Sequence, residues 1–169
     1  MKVLVRPEHS NEFIAIGEVL RSAFPTDQEA QLVERLRQHS RLVVSLVAEL
    51  DGQIVGHIAF SFVEIAGLLN GPLGVGLAPL AVSPEMQGRG VGLRLVREGL
   101  FACEREGIGF VVVLGQPEYY KRFGFKQAGR FGVENEYGAT DAFMILELRA
   151  DSMRAGRILY APEFAELTV

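Results

Sequence analysis

The segment LAVSPEMQGRGVGLRLV, residues 80–96, decides the fold of this chain. It begins in a nearly continuous apolar run and ends in a helical pattern, and glycines at positions 88, 90 and 92 stand where the helix has to start. Each glycine in a helix costs about 1 kcal/mol relative to alanine. The sequence therefore indicates that something outside the fold offsets this cost.

The glycines predict an anion-binding site at the helix N-terminus. The first four N–H groups of a helix have no partner within it, and the helix dipole adds roughly half a positive charge at that end. Because glycine has no side chain, several of these N–H groups can converge on one phosphate. A tight strand-to-helix turn is the alternative interpretation of the same glycines, and the spacing alone does not exclude it.

Two common phosphate-binding motifs do not match this segment. A P-loop needs a lysine directly after its last glycine, and here Leu93 follows Gly92. A dinucleotide-binding motif has the spacing G-x-G-x-x-G near the first strand, whereas this chain has G-x-G-x-G in mid-chain. A phosphate site at these glycines would thus be of another kind.

Apolar periodicity predicts a mixed α/β fold around this segment. The predicted strands are 2–7, 41–50, 53–65, 77–83, 110–114, 124–131 and 141–149. The predicted helices are 10–24, 90–105 and 117–123, together with one that Thr26 caps with Glu29 as its capping-box partner. In the helix of 90–105, Cys103 lies on the apolar arc and Phe101 on the polar arc. A helix between two apolar strands implies one parallel crossover in the sheet.

Composition predicts a single domain and excludes several classes of partner. With 169 residues, 49% of them hydrophobic, the chain suits one domain with a substantial core. Its net charge of −4 argues against nucleic acid, and no apolar run approaches the roughly 20 residues of a membrane span. Cys103 is the one cysteine, which excludes an intramolecular disulfide and fits a reducing compartment. We therefore expect a cytoplasmic protein with no membrane or nucleic-acid partner.

The segment 80–96 resembles the acetyl-coenzyme A motif of the GCN5-related N-acetyltransferase (GNAT) family, whose core is Q/R-x-x-G-x-G/A. Gln87, Gly90 and Gly92 match this core in order. The later stretch VLGQPEYYKRFGF, residues 113–125, resembles the second signature of the family and ends in Y-x-x-x-G-F. One helix and one strand separate the two motifs, as in the family. The double tyrosine before R-F-G-F is most similar to the YhbS-like subgroup.

The resemblance implies the fold and the domain limits. GNAT members have a mixed sheet of mostly antiparallel strands, about seven as predicted above, with flanking helices and a splayed slot that receives the cofactor. Pro79 supports the slot independently, because proline cannot donate to a sheet ladder and marks a bulge or an opening. An irregular strand start is the alternative for Pro79. We expect a GNAT domain at 1–149 and an extension at 150–169 that packs on it.

The resemblance also implies a site for acetyl-CoA, with no metal. The main chain of Leu80, Ala81 and Val82 would pair with the pantetheine arm of the coenzyme. Its pyrophosphate would bind N–H groups of the glycine-rich segment, and Arg89 could pair with a coenzyme phosphate. The implied cofactor residues of that segment are Gln87, Gly88, Arg89, Gly90, Val91, Gly92 and Leu93.

The implied reaction is attack of a primary amine on the thioester in a ternary complex. Only about one alkyl amine in a thousand is unprotonated at neutral pH, so the site needs a base or a path to water. The family implies the Leu80 N–H as oxyanion donor and Tyr120 as proton donor to the departing thiolate. Tyr119 is expected to pack instead, because neighbouring helix residues point about 100° apart. Glu64, expected beside the slot, is the candidate base, with His57 and ordered water as alternatives.

The acceptor stays open between a small-molecule amine and a peptide amine. By resemblance, the first two helices, the loop of 66–76 and the late strands build the acceptor site. A longer acyl-CoA donor, a protein N-terminal amine as acceptor, and a coenzyme-binding sensor without turnover are the alternatives. Tyr120 favours an enzyme, because a pure binder needs no proton donor near sulfur. Phe101 could mark a homodimer contact or a neighbour of the adenine ring.

Overall fold

The computed structural model describes residues 2–167. Its strands are β1 (Leu4–Pro7), β2 (Leu42–Leu50), β3 (Gln53–Ile65), β4 (Gly74–Val82), β5 (Phe110–Leu114), β6 (Lys126–Gln127), β7 (Val133–Asn135), β8 (Phe143–Glu147) and β9 (Gly156–Leu159). Its α-helices are α1 (Phe13–Ala23), α2 (Gln28–Gln38), α3 (Val91–Arg105) and α4 (Pro117–Lys121). Short 3₁₀ segments lie at Ser10–Glu12, Pro84–Met86, Ala128–Phe131 and Pro162–Glu166.

The strands form one mixed sheet in the order β1-β2-β3-β4-β5-β8-β6. Neighbours along this path are antiparallel except β4 and β5, which are parallel and joined by α3. At the far end of β3, Glu64 and Ile65 pair with β9, which in turn pairs with β7. The predicted mixed α/β class, with a mostly antiparallel sheet and one helical crossover, is confirmed.

Helices cover both faces of the sheet. Leu46 and Ala48 of β2 are buried in one cluster with the inner face of α3, whereas Val47 between them is buried with residues of α1 and α2. Because side chains alternate across a strand, these two clusters lie on opposite faces. The sheet is therefore the middle layer of three, and any opening in it lies between α3 on one side and α1 and α2 on the other.

The helix α3 follows its predicted limits and its predicted apolar arc. It begins at Val91 after Gly90, and Cys103 is fully buried. Gly99 lets the helix approach the sheet closely, because a Cβ there would lie 2.4 Å from the Phe60 ring. Phe101 is 56% exposed and lies under the Arg105 guanidinium, 5.0 Å from the ring centroid. A dimer contact through Phe101 stays a prediction.

The strand predicted over 124–131 is largely wrong. Its ladder is limited to Lys126 and Gln127, which pair with β8, and a 3₁₀ turn follows directly. Two short strands that the pattern missed, β7 and β9, pair with each other and extend β3. Their few residues carry little periodicity of their own, so tertiary pairing rather than local preference decides their structure.

Among residues 2–167, no helix is both long enough and apolar enough to cross a lipid bilayer.

Candidate active site

A slot opens in the sheet where β4 leaves β5. The first three residues of β4 pair with Phe110–Val112 of β5, and 77–82 then run on beside β3 without a second strand partner in the described chain. Two residues, Ala78 and Pro79, stand opposite the single residue Ala59 of β3 at this point. The peptide bond between them is cis. The bulge predicted from Pro79 is therefore confirmed, and it lies at the mouth of the slot.

The glycine-rich segment connects the end of β4 to α3 in a left-handed conformation. Gly88 and Gly90 have φ of +74° and +83°, and no atom lies within 4 Å of a Cβ built on either. Backbone conformation rather than crowding thus requires glycine at these positions. Gln87 closes the turn, because its side-chain Nε2 donates to the carbonyl oxygen of Val82 at 2.9 Å.

The start of α3 presents unpaired N–H groups. Arg94 is the first residue whose N–H donates along the helix, to the Gly90 carbonyl oxygen at 3.1 Å. The N–H groups of Val91, Gly92 and Leu93 are therefore free for a ligand at the positive end of the helix dipole. The geometry matches the predicted anion site.

A cavity of about 440 Å³, here called the cradle cavity, lies over this helix start. Its lining residues are Leu80, Val82, Met86, Gln87, Gly88, Gly90, Val91, Gly92, Leu93, Tyr119 and Arg122. Two expected coenzyme residues do not line it: Arg89 is exposed, and the side chain of Ala81 is buried on the α1 face. Arg122 is a cation that the sequence reasoning missed, although it follows the expected donor tyrosine by two positions.

A second cavity of about 390 Å³, here called the bulge cavity, lies on the other side of the slot. It is lined by Phe24, Glu29, Leu77, Ala78, Pro79, Leu80, Leu114, Gly115, Gln116, Tyr119, Tyr120 and Leu167. Leu80 and Tyr119 line both cavities. The two cavities therefore adjoin at these residues, beside the splayed part of β4.

Tyr120 lies in the bulge cavity on α4, whose first residue is Pro117. Its ring packs edge-on against Phe125, with centroids 5.6 Å apart, and a Cβ at Gly115 would lie 2.4 Å from the ring. Burial raises the pKa of Tyr120 to about 12, and neighbouring Tyr119 adds to this. The phenol thus keeps its proton at neutral pH, and its ring is closely packed.

Tyr119 does more than fill space. Its ring stands at 82° to that of Tyr120 with centroids 5.0 Å apart, and the Arg122 guanidinium lies 4.9 Å from its ring centroid. Burial raises its pKa, and Arg122 opposes this rise. Tyr119 therefore forms part of the wall between the two cavities, where packing alone had been expected.

Glu64 does not lie beside the slot, so this expectation was wrong. It sits at the end of β3, is exposed, and pairs with Leu159 of β9. The preceding residue, Val63, pairs with Gly74 at the first position of β4, whereas the bulge at Pro79 lies five residues further along. The loop of 66–73 joins β3 to β4 at this same end, away from the slot. The end of β3 that faces the slot is decided by the direction of the strand, which the sequence alone does not show.

His57 is a structural residue, fully buried under α1 and α2. Its Nε2 lies 2.8 Å from the Ser45 hydroxyl and 3.5 Å from the Glu8 carboxylate, which Arg37 also binds. Burial lowers the pKa of His57, and Glu8 opposes this. The residue stays neutral in the interior and lines neither cavity.

Glu29 is the functional candidate that the sequence pattern concealed. The expected capping box at Thr26 is wrong, because Asp27 precedes the first residue of α2. Glu29 instead lines the bulge cavity, and burial raises its pKa against the opposing effect of its own backbone N–H. Its position three residues after Thr26 correctly indicated a helix start nearby. The capping interpretation explained the residue fully, so its place at a cavity was not considered.

Two further chemistries have no support in the described residues. Cys103 is buried among the apolar residues of α3, and burial raises the pKa of its thiol to about 12. A thiol of this kind is neither accessible nor ionised. Within residues 2–167, no group of three or more His, Cys, Asp or Glu side chains is arranged to hold a metal ion.

Comparisons with known proteins agree with this geometry. The chain is 37% identical over 166 residues to the uncharacterized N-acetyltransferase YhbS of Escherichia coli K12, covering 96% of this chain and 98% of that protein. A crystal structure of E. coli YhbS in complex with CoA superposes with a TM-score of 0.94 at 35% identity, covering 100% of this chain and 95% of the other. The resemblance to the YhbS-like subgroup is thereby confirmed.

A second solved structure extends the likeness. A GNAT family acetyltransferase from Brucella melitensis, in complex with acetyl-CoA, has a TM-score of 0.81 at 36% identity over 96% of this chain and 98% of its own. Residues 10–125 match the model of the Acetyltransferase (GNAT) family. That range includes the slot, the glycine-rich turn and the double tyrosine. The chain therefore belongs to the GNAT family of acetyltransferases.

Proposed function

We propose that this protein transfers an acetyl group from acetyl-CoA to a primary amine by direct attack in a ternary complex. The observation that carries the proposal is the meeting of the two cavities at Leu80 and Tyr119. One cavity suits a phosphate-bearing coenzyme, and the other lies where the end of its pantetheine arm would arrive. The acetyl-CoA bound to the Brucella melitensis relative supports the choice of donor.

The coenzyme site uses the main chain more than side chains. N–H groups of 88–93 would hold the pyrophosphate, and the strand edge of Leu80, Ala81 and Val82 would pair with the pantetheine amides as an added strand does. Ala81 can serve although its side chain points away, because only its peptide groups are needed. Arg122 would add a charged contact from inside the cavity, and exposed Arg89 a weaker one from its rim.

Tyr120 would donate a hydrogen bond to the departing thiolate. A thiol has an ordinary pKa of about 8.5, so full proton transfer from a phenol with a pKa of about 12 is uphill by roughly 5 kcal/mol. A short hydrogen bond stabilises the developing negative charge without this cost. The Leu80 N–H would bind the carbonyl oxygen of the thioester.

The test is turnover. Purified protein is incubated with acetyl-CoA and a panel of amines, polyamines, amino acids and peptides, and release of the free thiol is followed together with the mass of the product. We expect acetylation of at least one primary amine with equal amounts of thiol and amide formed. Tight binding of acetyl-CoA without acetylation of any amine would instead favour a sensor.

A further inference from the structure

The bulge cavity has an uneven distribution of charge. Glu29 is the one carboxylate among its lining residues in the described chain, and no Lys, Arg or His lines it. The remaining wall is mainly apolar and comes from α1, the β4 bulge, α4 and the C-terminal segment. A ligand that fits this wall carries a positive charge at one point and an apolar body elsewhere.

Building on the proposed function, we infer that the bulge cavity is the acceptor site and that Glu29 binds the ammonium group of the acceptor and removes its proton. We further infer that the acceptor is a small alkylamine or arylalkylamine with no carboxylate beside the amine.

The position of Glu29 fits this role. The residue stands in the first turn of α2, and the cavity that it lines is also lined by Tyr120 of α4. An amine between the two would have a proton acceptor on one side and, across the splayed strand at Leu80, the thioester. A base and a hydrogen-bond donor at one cavity can together serve the attack of an amine on a thioester.

The cavity rejects an acceptor carboxylate on physical grounds. A carboxylate in a mainly apolar wall is costly unless a cation pairs with it, and none of the described residues that line this cavity is a cation. Glu29 would also repel a second negative charge nearby. An α-amino acid therefore fits worse than the amine that lacks its carboxylate.

The size of the cavity favours a small acceptor. A volume of about 390 Å³ is at the low end of small-molecule pockets. Leu167 closes part of the wall, and the segment before it is fixed to α2 and its C-terminal turn by ion pairs of Glu166 with Arg35 at 2.8 Å and of Glu163 with Arg41 at 2.9 Å.

The proposed step balances as follows. The ammonium gives one proton to the Glu29 carboxylate, and the free amine forms the N–C bond with the acetyl carbon. The C–S bond breaks with its electron pair going to sulfur, which takes a proton. Glu29 releases the first proton to solvent. The second proton leaves the nitrogen as the amide forms and goes to sulfur, so the ammonium and acetyl-CoA give the amide, the free thiol and one proton in solvent.

The protonation states agree with this order. Burial raises the pKa of Glu29, which makes it a better base, although its own N–H opposes the rise. Among residues 2–167, the other titratable groups that line the cavity are Tyr119 and Tyr120, both on α4, and burial raises the pKa of each. Both phenols stay neutral while Glu29 titrates, so the acid limb of the pH profile reports Glu29.

The test compares three probes that differ in one group. Phenethylamine, phenylalanine and phenylalaninamide share one side chain, but only phenylalanine carries a carboxylate. We expect kcat/KM for phenethylamine to exceed that for phenylalanine at least 100-fold, with phenylalaninamide recovering most of the difference. Equal values for the three, or a preference for phenylalanine, would overturn the proposed class of acceptor.

Glu29→Gln tests the residue, with Glu34→Gln on the exposed face of the same helix as its control. We expect Glu29→Gln to lower kcat/KM for phenethylamine about 100-fold, to flatten the acid limb of the pH profile, and to weaken phenethylamine binding to the unreactive CoA complex. Affinity for acetyl-CoA and the melting temperature should match those of Glu34→Gln. An unchanged pH profile and unchanged amine binding would remove Glu29 from the site.

Failure of the two proposals can be told apart. If the protein does not bind acetyl-CoA, the proposed function itself fails. If it binds acetyl-CoA and acetylates peptides or amino acids but not phenethylamine, only the inference about the bulge cavity is overturned. Acetyl-CoA binding without transfer to any of the three probes also overturns it.

Discussion

The Tyr119 hydroxyl oxygen lies 3.0 Å from the point where a Cβ on Gly92 would stand. Glycine is required at position 92 because the Tyr119 side chain of the second motif lies close to it. At Gly88 and Gly90 it is required because φ is positive. This contact joins the two sequence motifs directly and places them on one cavity. The proposed coenzyme site thus includes residues of both α3 and α4, not the glycine-rich turn alone.

Gly92→Ala should separate binding from stability. Alanine favours a helix over glycine by about 1 kcal/mol, so the variant should melt at the same temperature or higher. Its methyl group should displace Tyr119 and narrow the cradle cavity, lowering the affinity for acetyl-CoA about tenfold. Calorimetric titration and a melting curve measure the two effects, with Gly129→Ala, where no atom lies within 4 Å of the new Cβ, as the control. Unchanged affinity would show that the contact does not limit the site.

Tyr120→Phe should lose turnover while it keeps the coenzyme. The variant removes the hydroxyl of a buried tyrosine that lines the bulge cavity, and it removes no main-chain group of the cradle. We expect kcat to fall about 100-fold, the usual scale for a proton donor, with the dissociation constant of acetyl-CoA changed less than twofold. Steady-state kinetics and titration check the two quantities. Tyr137→Phe, at a partly exposed tyrosine outside both cavities, is the control, and an equal kcat in the two variants would contradict the assignment.

Arg122→Gln should weaken acetyl-CoA binding about tenfold at low salt and reduce its salt dependence. The reason is the loss of the one charged side chain among the described residues that line the cradle cavity. Comparison of acetyl-CoA with its 3′-dephospho analogue locates the contact. If Arg122 binds the diphosphate, both ligands lose affinity equally. A loss confined to acetyl-CoA would place the contact at the 3′-phosphate instead, and no loss with either ligand would remove Arg122 from the site.

Acid should destabilise the fold through the Glu8 network. Burial raises the pKa of Glu8, but hydrogen bonds from His57, Arg37 and Ser45 outweigh this and lower it to about 2. A carboxyl whose pKa falls on folding stabilises the protein above its unfolded value of about 4.5, and this contribution disappears as pH falls towards 2. His57, with a lowered pKa, adds a loss that begins below its ordinary value of about 6.5.

Urea unfolding at pH 7, 5, 4 and 3 measures this dependence. Glu8→Gln should lower the free energy of unfolding at pH 7 by up to about 3 kcal/mol and should flatten its decline between pH 5 and 3. Glu98→Gln, at an exposed position of α3, should decline in parallel with the parent protein. Parallel curves for Glu8→Gln and the parent would mean that another group governs the acid limb.

Long helices and strands were predictable because the apolar residues that repeat along them are the same residues that the fold buries. The inner arc of α3 and the bulge at Pro79 follow from the spacing of apolar residues and from a missing N–H, and both are confirmed. The positive φ of Gly88 and Gly90 was not predicted as such, although glycine at a helix start pointed to an unusual turn there. These features depend on local chemistry, which the sequence states directly.

Features that depend on which strand end faces the slot were not predictable. Glu64 and Glu29 are both acidic residues near element ends, and only the tertiary arrangement puts one remote from the cavity and the other in its wall. From the sequence, Arg122 is an ordinary surface cation. Only the packing of α4 near the start of α3 places it at the cradle cavity. The short strands β7 and β9 likewise depend on pairing across distant parts of the chain.

Calorimetric titration of acetyl-CoA into the purified protein, repeated at two temperatures, tests the proposed coenzyme site most directly. We predict one site with a dissociation constant in the micromolar range, and at least tenfold weaker binding by Gly90→Val. The φ of +83° at Gly90 disfavours a β-branched residue, so the substitution should distort the turn. Because no atom lies within 4 Å of a Cβ at this position, the substitution should leave the core packing unchanged. No binding at either temperature, or equal binding by Gly90→Val at an equal melting temperature, would contradict the assignment of the glycine-rich helix start as the coenzyme cradle.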